Sequence, residues 1–195
     1  MRLFIAFDID DAIRERIALF MDGVRYFAPD VRWIPPESLH VTLKFIGEKQ
    51  DETVEELKRK LEEVKGAPVE IAFRGYGFFP TAKSARVFWI GIKAGPQLAV
   101  LAKTVDETTA TLGIPKEERD FSPHLTLARG GGGSGSPRRE AGDRKNKSFQ
   151  KLQEKLAARP APEFGAMTAR EFFLYRSQLG RAGARYTKIA RFPLE

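Results

Sequence analysis

The chain has 195 residues, enough for one good hydrophobic core, and its 42% hydrophobic and 30% charged residues, with 15 Phe, exclude extensive disorder. The lack of cysteine excludes disulfides and thiolate metal sites, and no apolar run approaches the roughly 18–20 residues needed to span a bilayer. Lys and Arg number 33 against 26 Asp and Glu, a formal charge of +7, which favours an anionic partner, nucleic acid being the commonest, unless much of the excess sits in one solvated loop.

Residues 2 to 7 (Arg-Leu-Phe-Ile-Ala-Phe) read as a strand apolar enough to be central in a sheet, and Asp8, Asp10 and Asp11 follow too soon for a signal peptide, so the cytoplasm is the expected location. Asp10 or Asp11 caps a helix to about Tyr26, with Ile13, Ile17, Phe20, Met21 and Val24 on one stripe. A short strand over Val31 to Ile34 stops at Pro35-Pro36, and a strand over Leu39 to Ile46 leads through Gly47 into a helix over Asp51 to Val64. Strands over Val69 to Phe79 and Ala85 to Lys93 are joined through Pro80-Thr81-Ala82-Lys83-Ser84. After Gly95-Pro96 comes a helix over about Gln97 to Leu112, then a strand over Phe121 to Arg129, a helix over about Lys147 to Ala158, and strands over Ala166 to Ser177 and Ala184 to Ala190. The order helix, strand, helix, strand, strand therefore occurs twice, which reads as a duplicated lobe about a pseudo-two-fold axis within one compact unit.

One segment breaks this order. Gly130 to Ser136 is of low complexity, and Pro137 to Lys147 carries Arg138, Arg139, Arg144, Lys145 and Lys147, so 130–146 reads as a flexible basic loop. It resembles a laboratory glycine-serine linker at its start. It is either a solvated connection or an electrostatic arm that gathers nucleic acid.

The two histidines of the chain open two nearly identical tetrapeptides, His40-Val41-Thr42-Leu43 and His124-Leu125-Thr126-Leu127. In a strand, residues two apart share a face about 6.5–7 Å from one another, so each copy offers an imidazole and a hydroxyl together while Val41 or Leu125 turns to the core. Facing each other across a cleft, one neutral and one protonated imidazole are the base and acid needed for in-line displacement at phosphorus. The Thr hydroxyls could donate to the non-bridging oxygens, or Thr42 and Thr126 are plain β-formers. Such a pair predicts a bell-shaped pH profile and needs no metal. A zinc site would call for further ligands, and no HExxH motif or Asp cluster accompanies the pair; nor is there a Gly-x-Ser-x-Gly elbow for serine catalysis.

These motifs, with the opening Met-Arg-Leu-Phe-Ile-Ala-Phe, Leu-His-Val-Thr-Leu-Lys-Phe-Ile-Gly, Ser-Pro-His-Leu-Thr-Leu-Ala-Arg and Leu174-Tyr-Arg-Ser-Gln-Leu-Gly, closely resemble the two-histidine phosphoesterase superfamily and, within it, the RNA 2',3'-cyclic phosphodiesterases, also called 2'-5' RNA ligases. The resemblance covers nearly the whole chain, the Gly-rich loop being the departure. It implies an α+β, duplicated bilobal fold, with two antiparallel sheets around a central cleft and helices on the outside, in a single two-lobed phosphoesterase domain over 1–195. It further implies metal-independent opening of a terminal 2',3'-cyclic phosphate to a 2'-phosphate, without cofactor, on RNA ends or nucleotides bearing that group; a monomer without membrane contact is a separate expectation.

Carried over by motif, His40 would protonate the departing 3' oxygen, His124 would activate water, and Thr42, Thr126 and Arg129 would hold the phosphate. The two His roles could be exchanged without any change in the pattern, and Arg129 could instead be a solvated strand end. Phe45 is a candidate for base stacking, although strict alternation puts it on the face opposite His40 unless the strand bends, and a core role is an equal alternative. Tyr186 is a further pocket candidate. Two other readings stay open: a ligase joining 2',3'-cyclic phosphate and 5'-hydroxyl RNA ends, and a non-catalytic RNA-binding module, which would need charge and aromatic surface more than two imidazoles.

Overall fold

The first strand shows how the chain sorts its two faces. In β1 (Arg2–Phe7), Leu3, Ile5 and Phe7 are buried in the main core, while Phe4 and Ala6 join a smaller cluster with Phe173 and Tyr175 on the opposite face. The computed structural model describes residues 1–130, 147–180 and 183–195. After β1 come α1 (Asp11–Val24), β2 (Arg32–Trp33), β3 (Val41–Glu48), α2 (Asp51–Glu62), β4 (Val69–Phe79), β5 (Val87–Ala94), α3 (Pro96–Ala110), β6 (His124–Arg129), α4 (Gln150–Ala157), β7 (Glu163–Ala169), β8 (Glu171–Gly180) and β9 (Gly183–Pro193). Helix α2 forms because Val54, Leu57 and Leu61 recur at helical spacing and are buried, with Asp51 and Glu52 in its first turn and Arg59 and Lys60 near its end complementing the helix dipole.

The strands make two antiparallel sheets, one of four strands ordered β3-β1-β8-β9 and one of five ordered β2-β6-β5-β4-β7. The sequence repeat is real, but the halves of the chain are not the two lobes. Each half lends a hairpin or strand pair to the other's sheet: β8 and β9 extend the sheet of β3, and β4 and β5 extend the sheet of β6. One buried cluster runs through both sheets and all four helices. Helix α1 lies on β7, with Phe20 edge-on to Phe164 at 5.2 Å, while α3 lies on β3 and α2 on α3 and β9.

The single strand expected over Ala166 to Ser177 is two strands in different sheets. Arg170 separates β7, in the five-stranded sheet, from β8, in the four-stranded one, and its carbonyl accepts the Leu194 N–H at 2.8 Å. No Gly or Pro marks this crossing, because the change of partner is dictated by pairing and not by local turn chemistry. The basic stretch expected as a loop lies, from residue 131 to 146, outside the described residues.

A buried lysine crosses the core. Lys44 of β3 is 2% exposed, pairs with Asp106 of α3 and donates to the Pro115 carbonyl at 2.9 Å. Asp106 also accepts the Glu117 N–H at 3.2 Å, so one ion pair ties β3 to α3 and to the segment that leads into β6. Burial would raise the Asp106 carboxyl, but the Lys44 and Glu117 hydrogen bonds and the nearby charges outweigh it and hold it below the usual carboxylate range.

Candidate active site

The histidines enter the cleft from different sheets through the same local device. His40 follows a 3-10 turn (Pro36–Ser38) and immediately precedes β3; His124 is the first residue of β6. His40 Nδ1 is 2.8 Å from the Ser38 carbonyl and His124 Nδ1 is 2.8 Å from the Ser122 carbonyl. A carbonyl can only accept, so Nδ1 carries the hydrogen in both rings and Nε2 is left with its lone pair for chemistry. Arg14 of α1 steadies the first of these loops by donating to the Pro36 carbonyl at 2.6 Å and to Asp8 at 2.5 Å. Burial would raise the Asp8 carboxyl, yet Lys188, the Ile9 N–H and Arg14 hold it below its ordinary value.

Matching β-bulges then shape both walls. In β3, Lys44 is opposite Ile5 but Thr42 is opposite Ala6, which leaves Leu43 unmatched; in β6, Ala128 is opposite Phe88 but Thr126 is opposite Trp89, which leaves Leu127 unmatched. An extra residue reverses the facing of the residues after it. Two consecutive residues therefore go inward on each wall, Leu43-Lys44 and Leu127-Ala128, and the next, Phe45 or Arg129, returns to the face of the His and Thr. This bend is the physical reason that Phe45 escapes strict alternation. At 58% exposed it is not a core residue, and its ring lies 6.3 Å from that of Phe4.

His40, Thr42, Phe45, His124, Thr126, Arg129 and Tyr186 all line one cleft of about 550 Å³ between the sheets. Ten further residues that the sequence had not marked line the cleft, among them Arg2, Phe4, Arg32 and Phe79. Arg2 and Phe4 had a signal, since they alternate with the core positions Leu3, Ile5 and Phe7. So did the serine two residues before each histidine, whose carbonyl orients the ring. Phe79 and Arg32 had none, because only sheet pairing brings them to the site.

The surroundings of the two rings differ. His40 packs on Phe4 at 4.7 Å and meets Tyr186 edge-on at 5.2 Å, whereas His124 meets Phe79 edge-on at 4.9 Å with Trp89 at 6.3 Å. Trp89 lies flat on Gly77, where an added Cβ would come within 2.1 Å of the indole. Burial pushes His40 down to about 4, helped by the charges of Arg129 and His124 and only partly opposed by the Ser38 carbonyl and Asp8. His124 is lowered as well, by burial first and then by Arg129, against the Ser122 carbonyl. Both rings are thus neutral near pH 7 in the protein alone, and an anion between them is what would let one hold a proton.

The chain belongs to the LigT like phosphoesterase family, whose model matches residues 7–89 and again residues 90–186, one histidine motif in each match. It is 35% identical over 192 residues to the RNA 2',3'-cyclic phosphodiesterase of Archaeoglobus fulgidus, covering 98% of this chain and 99% of that protein. It is 31% identical to the enzyme of the same name from Methanothermobacter thermautotrophicus, over 100% of this chain and 99% of that one. The crystal structure of E. coli LigT complexed with 3'-AMP is similar at a TM-score of 0.76 and 27% identity, over 99% of this chain and 97% of LigT. No helix among the described residues is long and apolar enough to cross a membrane.

Proposed function

We propose that the protein is an RNA 2',3'-cyclic phosphodiesterase that opens a terminal 2',3'-cyclic phosphate to a 2'-phosphate, with His40 and His124 as its acid and base. The observation that carries this reading is the pair of imidazoles on opposite walls of one cleft, each with Nδ1 committed to a carbonyl and Nε2 left for proton transfer. The names of the A. fulgidus and M. thermautotrophicus relatives and the 3'-AMP complex of LigT support an RNA or nucleotide substrate.

On this reading His124 Nε2 takes a proton from water as its oxygen bonds to phosphorus. The bond from phosphorus to the 3' oxygen breaks, and His40 Nε2 delivers a proton to that oxygen. The hydroxyls of Thr42 and Thr126 and the guanidinium of Arg129 hold the non-bridging oxygens, where charge accumulates. The substrate's own negative charge raises the imidazole it faces, which supplies the protonated acid that burial alone denies. Phe45 and Tyr186 flank the nucleoside. The scheme calls for no metal ion or cofactor, and it treats the chain as one two-lobed domain working as a cytoplasmic monomer.

The test is turnover, in the presence of a chelator, of a short oligonucleotide ending in a 2',3'-cyclic phosphate. A 2'-phosphate product is expected, with losses of about 10²–10⁴-fold in His40→Ala and in His124→Ala. Full activity in either variant, or no turnover by the parent protein, would sink the reading.

A further inference from the structure

Three guanidinium groups stand at one end of the cleft, and among the described residues no acid pairs with them. Arg2 begins β1, Arg32 begins β2 and Arg129 ends β6, and all three line the cleft that holds the histidines. Arg32 and Arg129 are directly opposite on adjacent antiparallel strands, a placement of like charges that destabilises a sheet. Among the described residues no carboxylate forms a salt bridge with any of the three; Glu48, opposite Arg2 in register, pairs with the Met1 amino group instead. Burial, together with the charges of Arg32 and Arg2, lowers Arg129 from the ordinary guanidinium value, although Tyr186 opposes the shift. An anion among the three would relieve this repulsion and meet planar, bidentate donors.

Arg2 and Arg32 also lie away from the reacting level, with Arg129 at its margin. Along β1, Ala6 is opposite Thr42, Phe4 is opposite Phe45, and Arg2 comes next on the same face, about 13 Å along the strand from the Thr42 level. On the other wall the matching bulge puts Arg129, and Arg32 beside it, about 7 Å beyond Thr126. In an RNA strand the anion nearest to a terminal 2',3'-cyclic phosphate is the phosphodiester on the 5' oxygen of the same ribose, one sugar away.

We propose that Arg2 and Arg32, next to Arg129 at the end of the cleft beyond the threonines, form a second anion seat for that 5' phosphodiester, so that the substrate class is an RNA strand in preference to a nucleoside 2',3'-cyclic monophosphate. The proposal rests on the phosphodiesterase reading and deepens it. The seat adds affinity remote from the bond that breaks, so its effect falls mainly on KM.

The test compares hydrolysis of a 5'-phosphorylated nucleoside 2',3'-cyclic phosphate with that of the same compound bearing a 5'-hydroxyl. The parent protein is expected to favour the phosphorylated compound by about tenfold or more in kcat/KM, as charge-assisted hydrogen bonds allow. That ratio should fall towards one in Arg2→Gln and Arg32→Gln and be partly kept in Arg32→Lys. A ratio near one in the parent, or one that neither glutamine variant changes, overturns the seat. So does an equal loss on both compounds, which would assign these arginines to the reacting phosphate.

Calorimetric binding of a nucleoside 2',5'-bisphosphate against the 2'-monophosphate asks the same question without turnover. Tighter bisphosphate binding that Arg32→Gln abolishes, in a protein that hydrolyses neither cyclic compound, would support the seat and count against the activity. Equal binding of the two would count against the seat alone. In the supporting case each arginine removed should also lower the salt dependence of binding, by about one in the slope of log K against log salt.

Discussion

The two walls of the cleft repeat one another up to the unmatched leucine and then part. Each has a serine carbonyl that orients the imidazole, a buried Val41 or Leu125 that anchors the strand, a Thr on the cleft face and an unmatched leucine that bends the rest of the strand. Beyond the bulge, Lys44 and Phe45 stand where the other wall has Ala128 and Arg129. His40 sits among Phe4, Tyr175 and Tyr186 and is pushed down to about 4; His124 leans on Phe79 and Trp89 and is lowered less. The difference teaches where symmetry is useful. In-line displacement treats the attacking and leaving oxygens alike, so the residues proposed to handle them match, whereas a nucleotide has distinct ends and the residues proposed to read it do not.

The sharpest way to break this comparison is to ask whether the two histidines are interchangeable. A substrate with a better leaving group at the 3' oxygen should restore much of the roughly 10²–10⁴-fold loss in His40→Ala and little of that in His124→Ala. Rescue of His124→Ala alone would exchange the two roles.

Next in size is the ion pair of buried Lys44 and partly buried Asp106 that one wall has and the other lacks. Lys44→Met leaves Asp106 without its cation and should destabilise the fold by about 3 kcal/mol in urea unfolding, with most of it recovered in Lys44→Met/Asp106→Leu. An unchanged midpoint in the single variant would mean that the pair contributes nothing.

A smaller effect tests the matched part. Thr42→Val and Thr126→Val should each lower kcat by about tenfold and by similar factors, since each removes one hydrogen bond to a charged oxygen. A large loss in one and none in the other would show that the phosphate leans on a single wall.

The last expected effect, read as a difference between the two rings, is on stability against pH. The folded-state value of His40, about 4, lies below its ordinary 6.5, so between these values the unfolded chain binds more protons. The stability tied to a neutral His40 is fully present above pH 6.5 and is lost as pH falls towards 4. His40→Asn should flatten the dependence of unfolding free energy on pH in that window more than His124→Asn does; an equal flattening would erase the difference in burial between the two rings.

Much of this protein is determined locally and was legible from sequence. The bounds of β1 and β4 and the buried stripe of α2 follow from apolar periodicity, and the shared face of each His and Thr follows from the two-residue repeat of a strand. Even the hydrogen bonds that set both imidazole tautomers come from a carbonyl only two residues away. What tertiary structure alone decided is every feature that depends on which strand lies alongside. Pairing across the chain exchanged strands between the halves, split 166–177 at Arg170, inserted the bulges at Leu43 and Leu127 that carry Phe45 and Arg129 to the cleft, and put Arg32 beside Arg129. The physical reason is that alternation along a strand is a property of neighbouring residues, whereas register and bulges are set by hydrogen bonds to partners far away in the chain.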